Sequence, residues 1–187
     1  MHRVLIVILG AVSLLAGCKK SSQNPVAPPQ STEDWSFPAG PGKFSVTLLP
    51  SSGSPAVGDA FDVNVVLYNC SEVFGAAIRI NYAADKVDVS SVLDGPFLSP
   101  DTAAIAVIRI DSTTGIVSAG LTYKAGSASP AGSGASGVLM KLKCRAKGTG
   151  SAPFTIDTQT LRLVTADGNP IPGFATIAVE SDTVAVQ

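Results

Sequence analysis

Val138-Leu139-Met140-Lys141-Leu142-Lys143-Cys144-Arg145-Ala146-Lys147 is the stretch that decides the architecture. From Met140 onward the side chains of Met140, Leu142, Cys144 and Ala146 alternate with Lys141, Lys143, Arg145 and Lys147. A period of two puts one set on each side of a half-buried β-strand and fits no helix. The same period recurs upstream. Phe44, Val46 and Leu48 alternate with Ser45 and Thr47; Val63, Val65 and Leu67 oppose Asp62 and Asn64 within 61–68; Ile78, Ile80 and Tyr82 oppose Arg79 and Asn81 within 75–82. Further β-prone runs occupy 87–92, 104–111, 116–123, 154–157, 161–165 and 175–179, with turns at 112–115 and at Asp167-Gly168-Asn169-Pro170. A Gly, Ser and Ala stretch at 125–137 reads as a flexible loop. Some nine or ten short strands, all read as antiparallel and few of them apolar on both sides, must pack two sheets face to face to bury their apolar sides. The fold class is therefore all-β, a β-sandwich over residues 43–187.

The chain opens differently. His2 and Arg3 precede an apolar run from Val4 to Leu15, which ends in Ala16-Gly17-Cys18-Lys19-Lys20. This is the layout of a secretion signal, residues 1–17, and the run is shorter than the ~18 to 20 apolar residues a membrane-spanning helix needs. Leu15-Ala16-Gly17-Cys18 resembles the lipobox of bacterial lipoproteins, which implies cleavage before Cys18 and lipidation of its thiol. More than one acyl chain gives stable anchoring. The expected location is the cell envelope, lipid-anchored and extracytoplasmic, at the outer membrane or cell surface, with the membrane touched only through the N-terminal lipid. Residues 18–42 are rich in Ser, Pro, Gln and Asn without an apolar period and read as a flexible linker, spanning roughly 25 to 30 Å. Near its end, Trp35 and Phe37 are expected to pack where the linker meets the domain.

Of 13 Lys plus Arg, only Arg3 leaves with the signal, so 12 remain against 14 Asp plus Glu. So balanced a chain lacks the concentrated positive charge that nucleic acid binding requires. The single histidine, His2, also leaves, and with it go Ser-His-Asp and Cys-His catalysis, histidine-ligated zinc and histidine proton shuttling. The carboxylates are scattered, with no evident acid and base pair. A non-enzymatic role without a cofactor is expected. Asp167-Gly168-Asn169 has oxygen ligands but no further carboxylates beside it in sequence, so a hairpin turn is favoured over calcium. Cys70 and Cys144 remain after Cys18 is lipidated. An oxidising exterior would permit a disulfide between them, but alternation does not aim them at each other, and the sequence leaves the pairing open.

Val57-Gly58-Asp59 leading into 61–67, then Phe74-Gly75-Ala76-Ala77-Ile78-Arg79-Ile80-Asn81-Tyr82, resembles the start of a cohesin domain. Lys86-Val87-Asp88-Val89, Gly95-Pro96-Phe97-Leu98, the run 115–121 and the stretch from Gly137 to Gly148 resemble its later strands in the same order. The resemblance covers the chain from about Lys43 to its end. It implies a nine-stranded jelly-roll sandwich that binds proteins, since cohesins hold the dockerin modules of secreted carbohydrate-active enzymes. The family commonly has an Asn and an Asp, two residues apart, early in the strand matching 75–82, where this chain has Gly75 and Ala77; Ala83-Ala84 stand where Asp-Pro often follows. The usual contact pair therefore does not carry over.

The family's arrangement further implies that the strand of Arg79 and Asn81 lies beside the strand of Lys141, Lys143 and Arg145. Together these would form a basic strip able to receive an acidic extracellular protein, dockerin-bearing or other, or a polysaccharide carboxylate. Outward lysines equally serve to protect a sheet edge from pairing. Two other roles remain open: a carbohydrate-binding module, for which Tyr68, Tyr82 and Tyr123 would have to form an exposed platform, and a structural component of the envelope. Alternation places Tyr82 on the apolar side and favours packing for the tyrosines.

Overall fold

A computed structural model describes residues 33–98, 104–123 and 135–187. Cys18, the signal segment, the first part of the linker and most of the Gly, Ser and Ala stretch lie outside them. Among the described residues no helix is long and apolar enough to cross a membrane.

The strands in chain order are β1 Ser45–Pro50, β2 Ala60–Cys70, β3 Gly75–Tyr82, β4 Val87–Asp94, β5 Ala104–Asp111, β6 Ile116–Tyr123, β7 Ala135–Ala146, β8 Gly150–Ile156, β9 Arg162–Val164, β10 Ala178–Glu180 and β11 Asp182–Val186. Nine of them, all but the three-residue β9 and β10, have five residues or more. One sheet runs β10-β1-β2-β7-β4; the other runs β11-β8-β3-β6-β5, with β9 also pairing with β3. The two sheets form the expected all-β sandwich.

Alternation explains the core. Val63, Val65, Leu142 and Cys144 from one sheet meet Ile78, Ile80, Val117, Leu121 and Phe154 from the other, all buried in a single apolar cluster. Where Val65 pairs with Met140 and Val66 with Val138, Leu139 is an extra residue. This bulge lets Leu139 and Met140 both join the core, while Val66 and Val138 belong to a separate cluster. Turn chemistry closes the β5–β6 hairpin: the Asp111 Oδ1 atom accepts the N–H groups of Thr113 and Thr114, each at 3.1 Å. Gly115 follows at φ +68°, and a Cβ there would lie 2.1 Å from the Tyr82 carbonyl oxygen, so only glycine fits. The Asp167-Gly168-Asn169-Pro170 turn forms as read, with the Gly168 N–H donating to the Thr165 carbonyl at 2.9 Å.

Two readings need correction, and the cysteine pairing left open by the sequence is decided. Residues 175–179 do not make one strand: Phe174–Thr176 is a 3-10 turn entered through Gly173 at φ +78°, and β10 begins only at Ala178. The N–H groups of Thr176 and Ile177 are held by the Gly173 and Phe174 carbonyls, at 3.0 and 3.2 Å, so they are not offered to a ladder before Ala178. The pairing is not wholly antiparallel, because β10 runs parallel to β1 with Val46 opposite Val179. Finally, Cys70 and Cys144 are free and buried. The β2–β7 register sets Cys144 opposite Phe61 and Cys70 opposite Ala135. Their places along β2 thus differ by about nine residues, roughly 30 Å, where a disulfide needs Cα atoms within about 7 Å.

The two thiols should be unreactive. Burial pushes Cys70 up to about 12 and Cys144 also well above the usual thiol range, the latter with help from the Asp62 and Asp88 carboxylates. Because the thiolate is the nucleophile, a disulfide reagent at pH 8 should leave both unmodified in the native domain and label both in urea. Rapid labelling of either without urea would contradict the packing.

Candidate functional site

Each sheet has an outer face, and the two differ in what covers them. On the five-stranded sheet, Asp62 and Asn64 of β2 and Lys141, Lys143 and Arg145 of β7 point away from the core. Lys141 is nevertheless 2% exposed. The segment 34–38 lies over it: the Lys141 ammonium stands 4.7 Å from the Trp35 ring centroid and donates to the Asp34 carbonyl. Phe37 meets Tyr68 edge-on at 5.8 Å, and the Tyr68 hydroxyl donates to the Pro38 carbonyl at 3.1 Å. Trp35, Phe37 and Leu49 pack on Val66, Tyr68 and Val138. The compact unit accordingly begins at Asp34, inside the stretch whose composition reads as linker. Asp62 neutralises the strip from within, lying 3.6 Å from Lys141 and 3.1 Å from Lys143, while Arg145 donates to the Gly58 carbonyl at 2.8 Å.

This strap carries its own prediction. Trp35 is the only tryptophan, so its fluorescence reports strap docking. Trp35→Ala should cost about 1–2 kcal/mol in urea unfolding, from the lost cation–π contact and ring burial. In the wild-type chain Trp35 emission should shift red before or with the global transition. Emission typical of free solvent in the native state would dismiss the strap.

The basic strip expected from the sequence does not exist as one surface. β3, with Arg79 and Asn81, pairs with β6, β8 and β9, whereas β7, with Lys141, Lys143 and Arg145, pairs with β2 and β4. The two sets sit on different sheets of the sandwich. Alternation reports which side of a strand faces the core but not which sheet the strand joins.

The outer face of the six-stranded sheet is built in rows. Register aligns Arg109, Ser118 and Arg79 across β5, β6 and β3; the next row holds Val107, Gly120, Ala77 and Arg162; the third holds Ile105, Thr122, Gly75 and Val164. Two shallow depressions of about 340 and 390 Å³ share Ala77, Val107 and Gly120. Their floor is made of residues with little or no side chain. One wall is β5, where Ile105 is 52% and Val107 72% exposed, a large apolar area left open to water. The opposite wall is Thr160, Arg162 and Val164, with the Arg162 guanidinium fixed on the Gln159 and Leu161 carbonyls.

Arginines close one end of the groove. Arg79 lies 3.8 Å from Asp157 across a half-exposed ion pair. Arg79 and Arg109 both line a further depression with Ser118, Ile116 and Asp111. The Asp111 carboxyl is held below the usual range, first by the backbone N–H of Thr114 and then by its hydroxyl, with Arg109 contributing. Asn81 is one row further out, opposite Ile116.

Tyr68, Tyr82 and Tyr123 are all buried, so they supply no sugar-stacking platform. No group of three or more acidic, histidine or cysteine side chains placed to hold a metal ion occurs among the described residues. Sequence reasoning missed Ile105, Val107, Gly120 and Arg109. The available signal was the run Ala104-Ile105-Ala106-Val107-Ile108, apolar on both sides of its strand, facing a glycine across the hairpin.

The model of the cohesin domain family matches residues 45–176. No curated protein matches the sequence. Among solved structures, the chain is similar to a non-cellulosomal cohesin from the archaeon Archaeoglobus fulgidus at 17% identity and TM-score 0.58, covering 76% of this chain and 91% of that one. It is similar to the third cohesin of ScaC from Acetivibrio cellulolyticus, solved in complex with the ScaB dockerin, at 14% identity and TM-score 0.64, covering 77% and 99%. CaCohA2 from Clostridium acetobutylicum is similar at 22% identity and TM-score 0.57, covering 77% and 92%.

Proposed function

This chain belongs to the cohesin domain family, and on that premise we propose that it is a non-catalytic protein-binding module held at the cell envelope by a lipid on Cys18. Its partner is a dockerin-type module, received on the outer face of β8-β3-β6-β5. One observation carries the choice of face: Ile105 and Val107 stand exposed beside a floor of Gly75, Ala77 and Gly120, whereas on the opposite sheet the strap packs on Val66, Tyr68 and Val138, and Lys141 and Lys143 share Asp62. An apolar groove with a charged rim is how protein interfaces are commonly composed. The buried tyrosines give a polysaccharide-binding role no support.

The mechanism is display. The lipid fixes location, the linker gives reach, and a rigid sheet presents the groove at a high effective concentration near the membrane. Titration of the full chain, solubilised in detergent, with calcium-loaded dockerin modules encoded by the same genome tests the reading. A one-to-one complex is expected, with slowed hydrogen exchange in β3, β5 and β6. Failure of every such dockerin to bind, or protection confined to β1, β2 and β7, would refute it. Anchoring is tested separately: Cys18→Ser should abolish incorporation of a labelled fatty acid and release the chain from the membrane fraction, and retention with label would place the lipid elsewhere.

A further inference from the structure

The last strand of an open sheet has a row of N–H and C=O groups without a ladder partner, and proteins ordinarily shield such edges from pairing with other chains. Three of the four sheet ends here are shielded. β4 carries Asp88 and Asp94 and breaks register with β7 at Ser90. β10 has only three residues. β11 is covered by the segment 53–55, since the Ala185 N–H donates to the Gly53 carbonyl at 2.8 Å and the Gln187 N–H to the Pro55 carbonyl at 3.0 Å.

β5 has none of these devices. Its eight residues pair with β6 in one unbroken register, and among the described residues β6 is its only strand partner. The strand contains no proline or lysine, and Ala104-Ile105-Ala106-Val107-Ile108 is free of charge. Ile105 and Val107 point outward and Ala106 toward the core side, yet all three are exposed, so the opposite sheet does not cover this part of the edge.

An unpaired ladder is completed by another strand, and these side chains suit a second copy of the same strand. Ala106 is the midpoint of the uncharged run. Antiparallel pairing about a two-fold axis there sets Ala106 opposite itself, Ile105 opposite Val107 twice, and Ala104 opposite Ile108 at each end. Such β-branched cross-strand pairs are favourable. A shift of the pairing by one residue would oppose outward to inward side chains. Moving the axis to Val107 or Ile108 would bring Arg109 opposite Ile105 or Val107. Only the axis at Ala106 matches the whole apolar run to itself and leaves Arg109 and Asp111 outside it.

We propose that the chain self-associates through β5, two copies joining edge to edge about a two-fold axis at Ala106. The axis is perpendicular to the sheet, so both outer faces lie on the same side of one continuous sheet and two grooves are presented together. Five paired residues from each copy bury less than the ~1,200–2,000 Å² of stable complexes, and the dimer is therefore reversible. With the anchoring proposed above, a shared membrane raises the effective concentration of the copies.

The test treats the full chain in detergent, without any dockerin, with a short bis-maleimide at rising chain concentration. Ala106→Cys should cross-link in a yield that grows with concentration, because opposed Cα atoms are about 4.5–5.5 Å apart. Position 109 is also exposed, but the register sets its two copies six residues apart, about 20 Å, and Arg109→Cys should give no dimer. The wild-type chain, whose Cys70 and Cys144 are buried, is the blank. Adding Ile105→Lys and Val107→Lys to the Ala106→Cys chain opposes lysine to lysine twice and should abolish the cross-link, with a thermal melt verifying the fold. Val107→Lys alone replaces the pair if the doubly substituted chain does not fold. Absence of a cross-link through Ala106→Cys at every concentration, equal cross-linking through Arg109→Cys, or a cross-link that survives lysine in a folded chain would each overturn the inference. With no dockerin present, these outcomes leave the docking face untouched.

Discussion

Gly120→Phe should reduce dockerin affinity by about 100-fold or more while leaving the fold as stable as before. Gly120 lies at the centre of the groove, in the row of Val107 and Ala77, and a side chain there projects into open space. Its backbone is ordinary β6 ladder with no need for a left-handed conformation, so a residue with higher strand propensity is accepted or even favoured. The ring would fill the socket an incoming apolar side chain requires. Calorimetric titration with a dockerin that binds the wild-type chain, run beside a thermal melt of each protein, separates the two effects. Undiminished binding by a folded Gly120→Phe chain would move the docking site off this face. Gly115 makes the useful contrast, since a Cβ there strikes the Tyr82 carbonyl and the hairpin itself would fail.

The second large effect concerns stability. Phe154→Ala should cost about 3–5 kcal/mol, a large part of the ~5–15 kcal/mol typical of a whole domain. Phe154 is fully buried, stacked on Tyr82 at 6.2 Å and edge-on to Phe61 at 6.4 Å. Phe61 comes from β2, and Phe154 and Tyr82 from β8 and β3, so these rings join the two layers. Truncation leaves a void bordered by rigid strands on both sides, which cannot collapse to fill it. In urea the midpoint should fall with the slope unchanged. A loss under about 1 kcal/mol would mean that the layers are not held together there.

Strand after strand was legible because alternation is local. Residues 75–82, 104–111 and 116–123 form β3, β5 and β6 with the bounds read from sequence. The inward sets Ile78, Ile80 and Tyr82, and Met140, Leu142, Cys144 and Ala146, are all buried. The C-terminal strands were less legible. β11 has only Val184 and Val186 facing the core within five residues, too short a pattern to declare itself, and β10 exists because β1 offers it an edge. The site was harder still, since glycine and alanine on an outer face look like absence of signal until their neighbours are known.

Sequence alone determined that apolar side chains every second residue would make strands, that those strands would need two layers, and that no histidine lies within residues 43–187. It also specified the hairpin turns, whose chemistry involves residues close along the chain. Tertiary structure alone decided that Arg79 and Lys143 lie on different sheets, that Trp35 covers Lys141, and that Cys70 and Cys144 are far apart. The reason is physical: the side a residue takes follows from a period of two along its own strand, whereas its neighbours across the sheet follow from which strands pair and in what register.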